Sequence, residues 1–182
     1  MSTVVIQENI RIPNHVDDLD SFCQWACSEE YPERGRYSFL NGEVWVGLTP
    51  ERIYIHNQVK GEYAVVLGNL CRSEKLGRFF HDRTLLRNTK ANLSTEPDGT
   101  FASWASLRTK RVRVVRVSQG YDILVGTPDM ALEVVSDTSE HKDTVRLPQL
   151  YCKAGILSLY QASKSFSSAL GRACCGRIYR RE

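Results

Sequence analysis

The alternation of apolar and polar positions divides the chain into the helices and strands of an α/β protein. Apolar residues recur at helical spacing in three segments, at 15–29, from Thr49 to about Arg72, and from Ser136 to about Lys153. Four shorter apolar runs predict strands, at 79–86, 91–101, 110–117 and 129–135. This order of elements predicts an α/β fold with a mixed central sheet and helices packed against it.

Turn and capping residues mark the ends of several elements. Asn41-Gly42 lies between two short apolar runs and predicts a type I′ hairpin. Asn14 is the expected cap of the first helix, Ser136 that of the last, and Gly155 stops the last helix. In the long second helix the expected inward stripe consists of apolar residues, among them Val59, Val66 and Leu70.

Length and composition indicate one soluble domain. The chain has 182 residues, of which 42% are hydrophobic and 25% charged, enough for one core and too few for two ordinary domains. There is no apolar run of membrane-spanning length and no signal-peptide pattern, so we expect a cytoplasmic protein without a membrane partner. The six cysteines show no CxxC spacing, which argues against a zinc knuckle or a disulfide framework.

The positive net charge belongs to the end of the chain. Of the formal charge of +3, the segment from Leu157 contributes +4, because it holds five basic residues and one acidic residue. The first 156 residues therefore carry −1. The charge of the body alone does not predict nucleic-acid binding.

Two acidic residues stand where a carboxylate is costly. Glu133 lies within the apolar run 130–135, and Asp98 follows Pro97 at the end or bulge of a neighbouring strand, 35 residues earlier. A buried carboxylate needs a partner, and a divalent cation is one that both acids could share. With Glu43 after the hairpin turn as a third candidate, the set suits Mg²⁺ and predicts metal-dependent hydrolysis of a phosphodiester.

Structural roles compete with each of these assignments. Glu133 could pair with an arginine in the interior, Asp98 could form a turn after proline, and Glu43 could simply be solvated. A second Pro-Asp pair ends at Asp129, only four residues before Glu133 on the same strand, and is assigned to the strand start. Asp143 is expected at the surface or as a charge at a helix N-terminus.

A set of motifs over residues 31–156 resembles a known family. The set comprises Tyr37, Asn41-Gly42-Glu43, Pro50, His56, Pro97-Asp98, Glu133-Val134-Val135-Ser136, Lys142-Asp143, Tyr151 and Ala154-Gly155-Ile156. These residues resemble the Uma-type restriction endonucleases of bacteria, within the PD-(D/E)XK nuclease superfamily. The resemblance implies a restriction-endonuclease-like fold, DNA as substrate, and Mg²⁺ or Mn²⁺ held by Asp98 and Glu133 with help from Glu43. It also allows for a homodimer, because a paired symmetric cut needs two copies.

The lysine of the superfamily pattern is missing from its usual place. That place, two residues after the second acid, is occupied by Val135. The resemblance makes Lys142, in the following helix, the candidate replacement. It also makes His56 a candidate that could reach the site from the long helix.

The resemblance stops at Ile156. We therefore predict a restriction-endonuclease-like domain at 1–156 and a divergent, disordered basic tail at 157–182, whose abrupt change would also fit a shifted reading frame near codon 157. The missing lysine and the divergent tail keep a second function open. In that alternative the protein is a catalytically impaired nuclease fold that acts as a nucleic-acid-binding or interaction module.

Overall fold

The protein is built from two β-sheets and four α-helices. The computed structural model describes residues 11–49, 57–117, 120–136, 139–162 and 176–180. Within these ranges the helices are α1 (Leu19–Ala26), α2 (Gln58–Ser73), α3 (Trp104–Arg108) and α4 (Leu147–Ala154). None of the described helices is both long and apolar enough to cross a bilayer.

Eleven strands are described in the same ranges. They are β1 (Arg36–Leu40), β2 (Glu43–Gly47), β3 (Gly77–His81), β4 (Leu86–Asn88), β5 (Leu93–Thr95), β6 (Gly99–Ser103), β7 (Val112–Arg116), β8 (Asp122–Gly126), β9 (Met130–Val134), β10 (Ser158–Ala162) and β11 (Gly176–Arg180). A six-stranded sheet has the order β2-β1-β5-β4-β8-β7, and a five-stranded sheet has the order β11-β10-β9-β6-β3. The neighbours β4 and β8 are parallel, as are β9 and β10, so both sheets are mixed.

The prediction of one long strand at 79–86 and another at 91–101 was wrong. Each of these ranges contains residues of two separate strands. β3 and β6 belong to one sheet, whereas β4 and β5 belong to the other. The first run breaks at Arg83, whose positive φ of 68° is incompatible with a continuing strand. The second breaks at Pro97, which has no N–H to donate to a ladder.

The hairpin prediction is confirmed, whereas the start of the first helix was wrong. Asn41 and Gly42 have φ of 53° and 99°, as a type I′ turn requires, and Leu40 pairs with Glu43. Helix α1 starts later than expected because Asp18, not Asn14, caps it. The Asp18 carboxylate accepts from the Ser21 N–H at 2.7 Å, and the Ser21 hydroxyl accepts from the Asp18 N–H at 3.0 Å.

Helix α2 turns a different face inward than its apolar residues predicted. Val59 is buried as expected, and Cys71, which was not part of the expected stripe, is buried too, but Val66 and Leu70 are exposed. Lys60 is buried in their place. The orientation follows from the contact of Val59 with Val134 of strand β9, which anchors the start of the helix on the five-stranded sheet.

The main core surrounds helix α4. Leu147, Leu150, Tyr151 and Ala154 pack with residues of both sheets, namely Leu40, Leu86, Leu93, Ala102, Val112, Leu124 and Ala131. Gly155 ends the helix with a φ of 81°, as predicted. A second cluster packs α1 on the hairpin, with Phe22 against Phe39.

The predicted boundary at 156/157 stays a prediction. Ser158–Ala162 forms β10 beside β9, with Ser158 paired to Met130 and Ala162 to Val134. Gly176–Arg180 pairs with β10 in turn. The backbone immediately after the boundary is thus part of the five-stranded sheet, while residues 163–175 and 181–182 lie outside the described ranges.

Asp129 fixes the start of the central strand β9, in agreement with its assignment to a strand start. Its carboxylate accepts from the Ser103 N–H at 2.7 Å, the Ser106 hydroxyl at 2.8 Å and the Arg111 guanidinium at 2.9 Å. Arg111 also donates to the Gly155 carbonyl at the end of α4. This carboxylate therefore links β6, β7, β9 and α4.

We expect Asp129→Asn to lower the free energy of unfolding by about 1–3 kcal/mol, because the half-buried Arg111 loses its ionic partner. Urea unfolding followed by circular dichroism measures the change. The matched control is Asp122→Asn, which breaks the exposed pair with Arg116 and should have almost no effect. Equal effects of the two substitutions would contradict the structural role of Asp129.

Candidate active site

Of the two predicted acids, Glu133 lies on β9, and Asp98 directly precedes β6, the antiparallel neighbour of β9. In the β6–β9 ladder Thr100 pairs with Ala131 and Gly99 with Leu132. One step further, this register places Asp98 opposite Glu133, so their side chains leave the sheet on the same face. The Val134 N–H donates to Asp98 Oδ2 at 2.6 Å, which holds the Asp98 carboxylate against β9.

Glu133 is a carboxyl group in the interior, 3% exposed. The Tyr151 hydroxyl, from the inner face of α4, donates a hydrogen bond to Glu133 Oε1. Burial raises the pKa of Glu133 well above its ordinary value, and the charges of Asp143 and Asp98 raise it further. Burial and the neighbouring Glu133 likewise raise the pKa of the Tyr151 hydroxyl. Burial and the neighbouring acids therefore favour the protonated form of the Glu133 carboxyl as long as no cation is bound.

Asp143 is a third acid of this cluster; the expected surface position was wrong, whereas the alternative, an acid in the first turn of a helical segment, is confirmed. It is 3% exposed and lies in a π-helical segment, Lys142–Arg146, directly before α4. Burial raises the pKa of Asp143, although Lys142 opposes the shift. π-Helical turns are frequent at functional sites, where they re-aim side chains. Its position was missed because an acid in the first turn of a helix is ordinarily solvated.

Two lysine ammonium groups reach the acids. Lys142 Nζ lies 3.3 Å from Asp143 Oδ1. Burial alone would lower the pKa of Lys142, but Asp143 and Glu133 raise it overall. Lys60, from α2, was not anticipated, and its Nζ lies 2.7 Å from Asp98 Oδ1. Lys60 directly follows Val59 and so lies off the expected apolar stripe, which is why the apolar pattern gave no sign of its burial.

The remaining two predicted residues lie elsewhere or outside the described ranges. Glu43 is on β2, in the other sheet, where it accepts from the Trp45 indole at 3.1 Å and pairs with Arg146. These contacts attach the hairpin to the π-helical segment. A role of Glu43 as an auxiliary ligand stays a prediction. His56 lies outside the described residues, so its predicted role also stays a prediction.

Comparison with known proteins assigns the fold and the family. The sequence model of Uma2, described as "Putative restriction endonuclease", matches residues 19–160. The chain belongs to the Uma2 family. None of the curated proteins matches it. The Uma2 match starts earlier and ends later than the resemblance over 31–156, and it includes the first residues of β10.

A solved structure shares the fold of this Uma2 protein. It is the crystal structure of a "putative nuclease belonging to DUF820" from Anabaena variabilis, with a TM-score of 0.58 at 17% identity. The match covers 90% of this chain and 84% of that chain. The predicted α/β, restriction-endonuclease-like architecture is thereby confirmed.

The donor set fits a small hard cation. Mg²⁺ is typically bound by one or two carboxylates and keeps several waters. Among the described residues no group of three or more His, Cys, Asp and Glu side chains is arranged to hold a metal, so Asp98 and Glu133 are the pair to consider. The Thr100 hydroxyl, on the face of Asp98, is buried without a hydrogen-bond partner. Crowded carboxylates beside an unpaired hydroxyl suit a hydrated cation.

We expect Tyr151→Phe to lower the free energy of unfolding by about 1–3 kcal/mol, because it leaves the buried Glu133 carboxyl without this donor. Chemical denaturation measures the loss. Tyr121→Phe is the control, since Tyr121 is 53% exposed. If both substitutions have the same effect, the Tyr151–Glu133 hydrogen bond does not contribute to stability.

Proposed function

We propose that this protein is a metal-dependent endonuclease that hydrolyses phosphodiester bonds of DNA. The observation that supports it most is the β6–β9 register, which puts Asp98 opposite Glu133 on one face of the sheet. Asp143 and Lys142 join them from the π-helical segment. Membership of a family described as restriction endonucleases is consistent with a nucleic-acid substrate.

Each residue of the cluster has a distinct role in this proposal. Asp98 and Glu133 hold the cation, which supplies Lewis acidity toward the phosphate when bound. Tyr151 orients Glu133 through its hydrogen bond, and the N–H of Val134 orients Asp98. These second partners fix the orientation of each carboxylate.

Lys142 is the proposed source of positive charge for the scissile phosphate. Its ammonium is kept protonated by Asp143 and Glu133, and it replaces the lysine that Val135 cannot supply. A cation beside the phosphate stabilises the charge that grows in the transition state. Asp143 then acts as a positioning residue, because it fixes Lys142 at 3.3 Å.

The first test is a plasmid-nicking assay with Mg²⁺ or Mn²⁺. We expect Asp98→Asn and Glu133→Gln each to reduce nicking by about 100-fold or more, because each removes a charged oxygen that holds the cation. Asp122→Asn, an exposed acid on β8, should cut like the wild type. Equal cleavage by all four proteins would point to a contaminating nuclease and contradict the proposal.

The second test concerns Lys142. We expect Lys142→Met to slow nicking about 100-fold at saturating metal while DNA binding changes little, because the charge acts mainly in the transition state. Lys153→Met, on the exposed side of α4, is the matched control. A loss of DNA affinity equal to the loss of rate would assign Lys142 to binding instead.

The alternative function is a nuclease fold that binds nucleic acid without cutting it. Val135 in place of the usual lysine, and the contact of Lys60 with Asp98, favour this reading. It requires that the wild type shows no cleavage and that DNA binding survives Asp98→Asn and Glu133→Gln. That binding should also weaken steeply as the salt concentration rises.

A further inference from the structure

Lys60 places an ammonium group inside the acid cluster. It is 7% exposed, and its Nζ lies 2.7 Å from Asp98 Oδ1 and 3.1 Å from Asp82 Oδ2. A charge so deeply buried is stable only when it is paired and hydrogen-bonded. Lys60 is thus an integral part of the site, although it comes from a helix whose apolar pattern gave no sign of it.

The packing of Val59 and the contact with Asp82 help to fix where the Lys60 ammonium lies. Val59, the preceding residue, packs on Val134, the residue after Glu133. Asp82 also contacts the ammonium and is itself fixed by Arg36, at 2.8 and 2.7 Å. Burial alone would raise the pKa of Asp82, but Arg36 and Lys60 lower it overall.

Lys60 and a divalent cation would compete for the same carboxylate. Asp98 Oδ2 is occupied by the Val134 N–H, and Oδ1 is the oxygen that contacts Lys60. Because each carboxylate oxygen has a second lone pair, a cation that binds either oxygen of Asp98 would share this carboxylate with the ammonium or displace the ammonium from it. Either way, two positive charges close together in the interior repel each other by several-fold more than in water.

We propose that Lys60 is a positioning residue that holds Asp98 in place and sets the metal affinity of the site. This inference rests on the proposed metal-dependent function. The charge of Lys60 holds the Asp98 carboxylate in its orientation before metal arrives, and the same charge weakens metal binding. A residue with only a packing role would not have this effect on affinity.

The test measures the dissociation constant for Mn²⁺ by calorimetry on the full chain. We expect Lys60→Met, which keeps the apolar stem but removes the charge, to bind Mn²⁺ at least about tenfold more tightly than the wild type. Lys60→Arg keeps the charge and should stay within about threefold of the wild type. Lys90→Met, a surface substitution, should leave the constant unchanged.

Lys60→Gln keeps an N–H donor for Asp98 without the charge, and it is measured in the same way in case the methionine variant does not fold. Unchanged or weaker Mn²⁺ binding by the folded, uncharged variant overturns the inference and leaves the proposed function standing. Wild-type protein that does not bind Mn²⁺, or binds it equally well after Asp98→Asn, overturns both. Tighter binding by the uncharged variant, together with wild-type-like binding by Lys60→Arg, supports it.

Discussion

The pairing of β6 with β9 is the constraint on which the rest of the site depends. It brings Asp98 and Glu133 to opposite positions on one face of a buried sheet, where two carboxylates repel each other and lack water. Side chains from neighbouring elements reduce the free-energy cost of burying these two carboxylates. As a result, polar side chains lie around this pair of acids, where the interior of a protein is ordinarily apolar.

Three elements provide that compensation, each from a different part of the chain. Helix α4 contributes the Tyr151 hydroxyl, the π-helical segment contributes Lys142, and helix α2 contributes Lys60. The two ammonium groups offset part of the charge of the three acids Asp98, Glu133 and Asp143. In the proposed function, a divalent cation would take over part of this compensation when it binds.

Much of the architecture was predictable because its signals are local. The Asn41-Gly42 turn, the stop at Gly155 and the placement of Glu133 on an apolar strand follow from backbone preferences and apolar patterns. The division of two apolar runs between separate sheets was not predictable in the same way. Strand pairing depends on partners distant in sequence, and apolar content does not say which sheet a strand joins.

By itself, the sequence determined the α/β class, the family resemblance and the two acids, because these depend on residue type and spacing. Only the tertiary structure decided which charged side chains lie beside Asp98 and Glu133. Lys60 and Asp143 are polar residues on helices, and their burial depends on how each helix is rotated against the sheet. That rotation is set by long-range contacts such as Val59 with Val134, which no local pattern records.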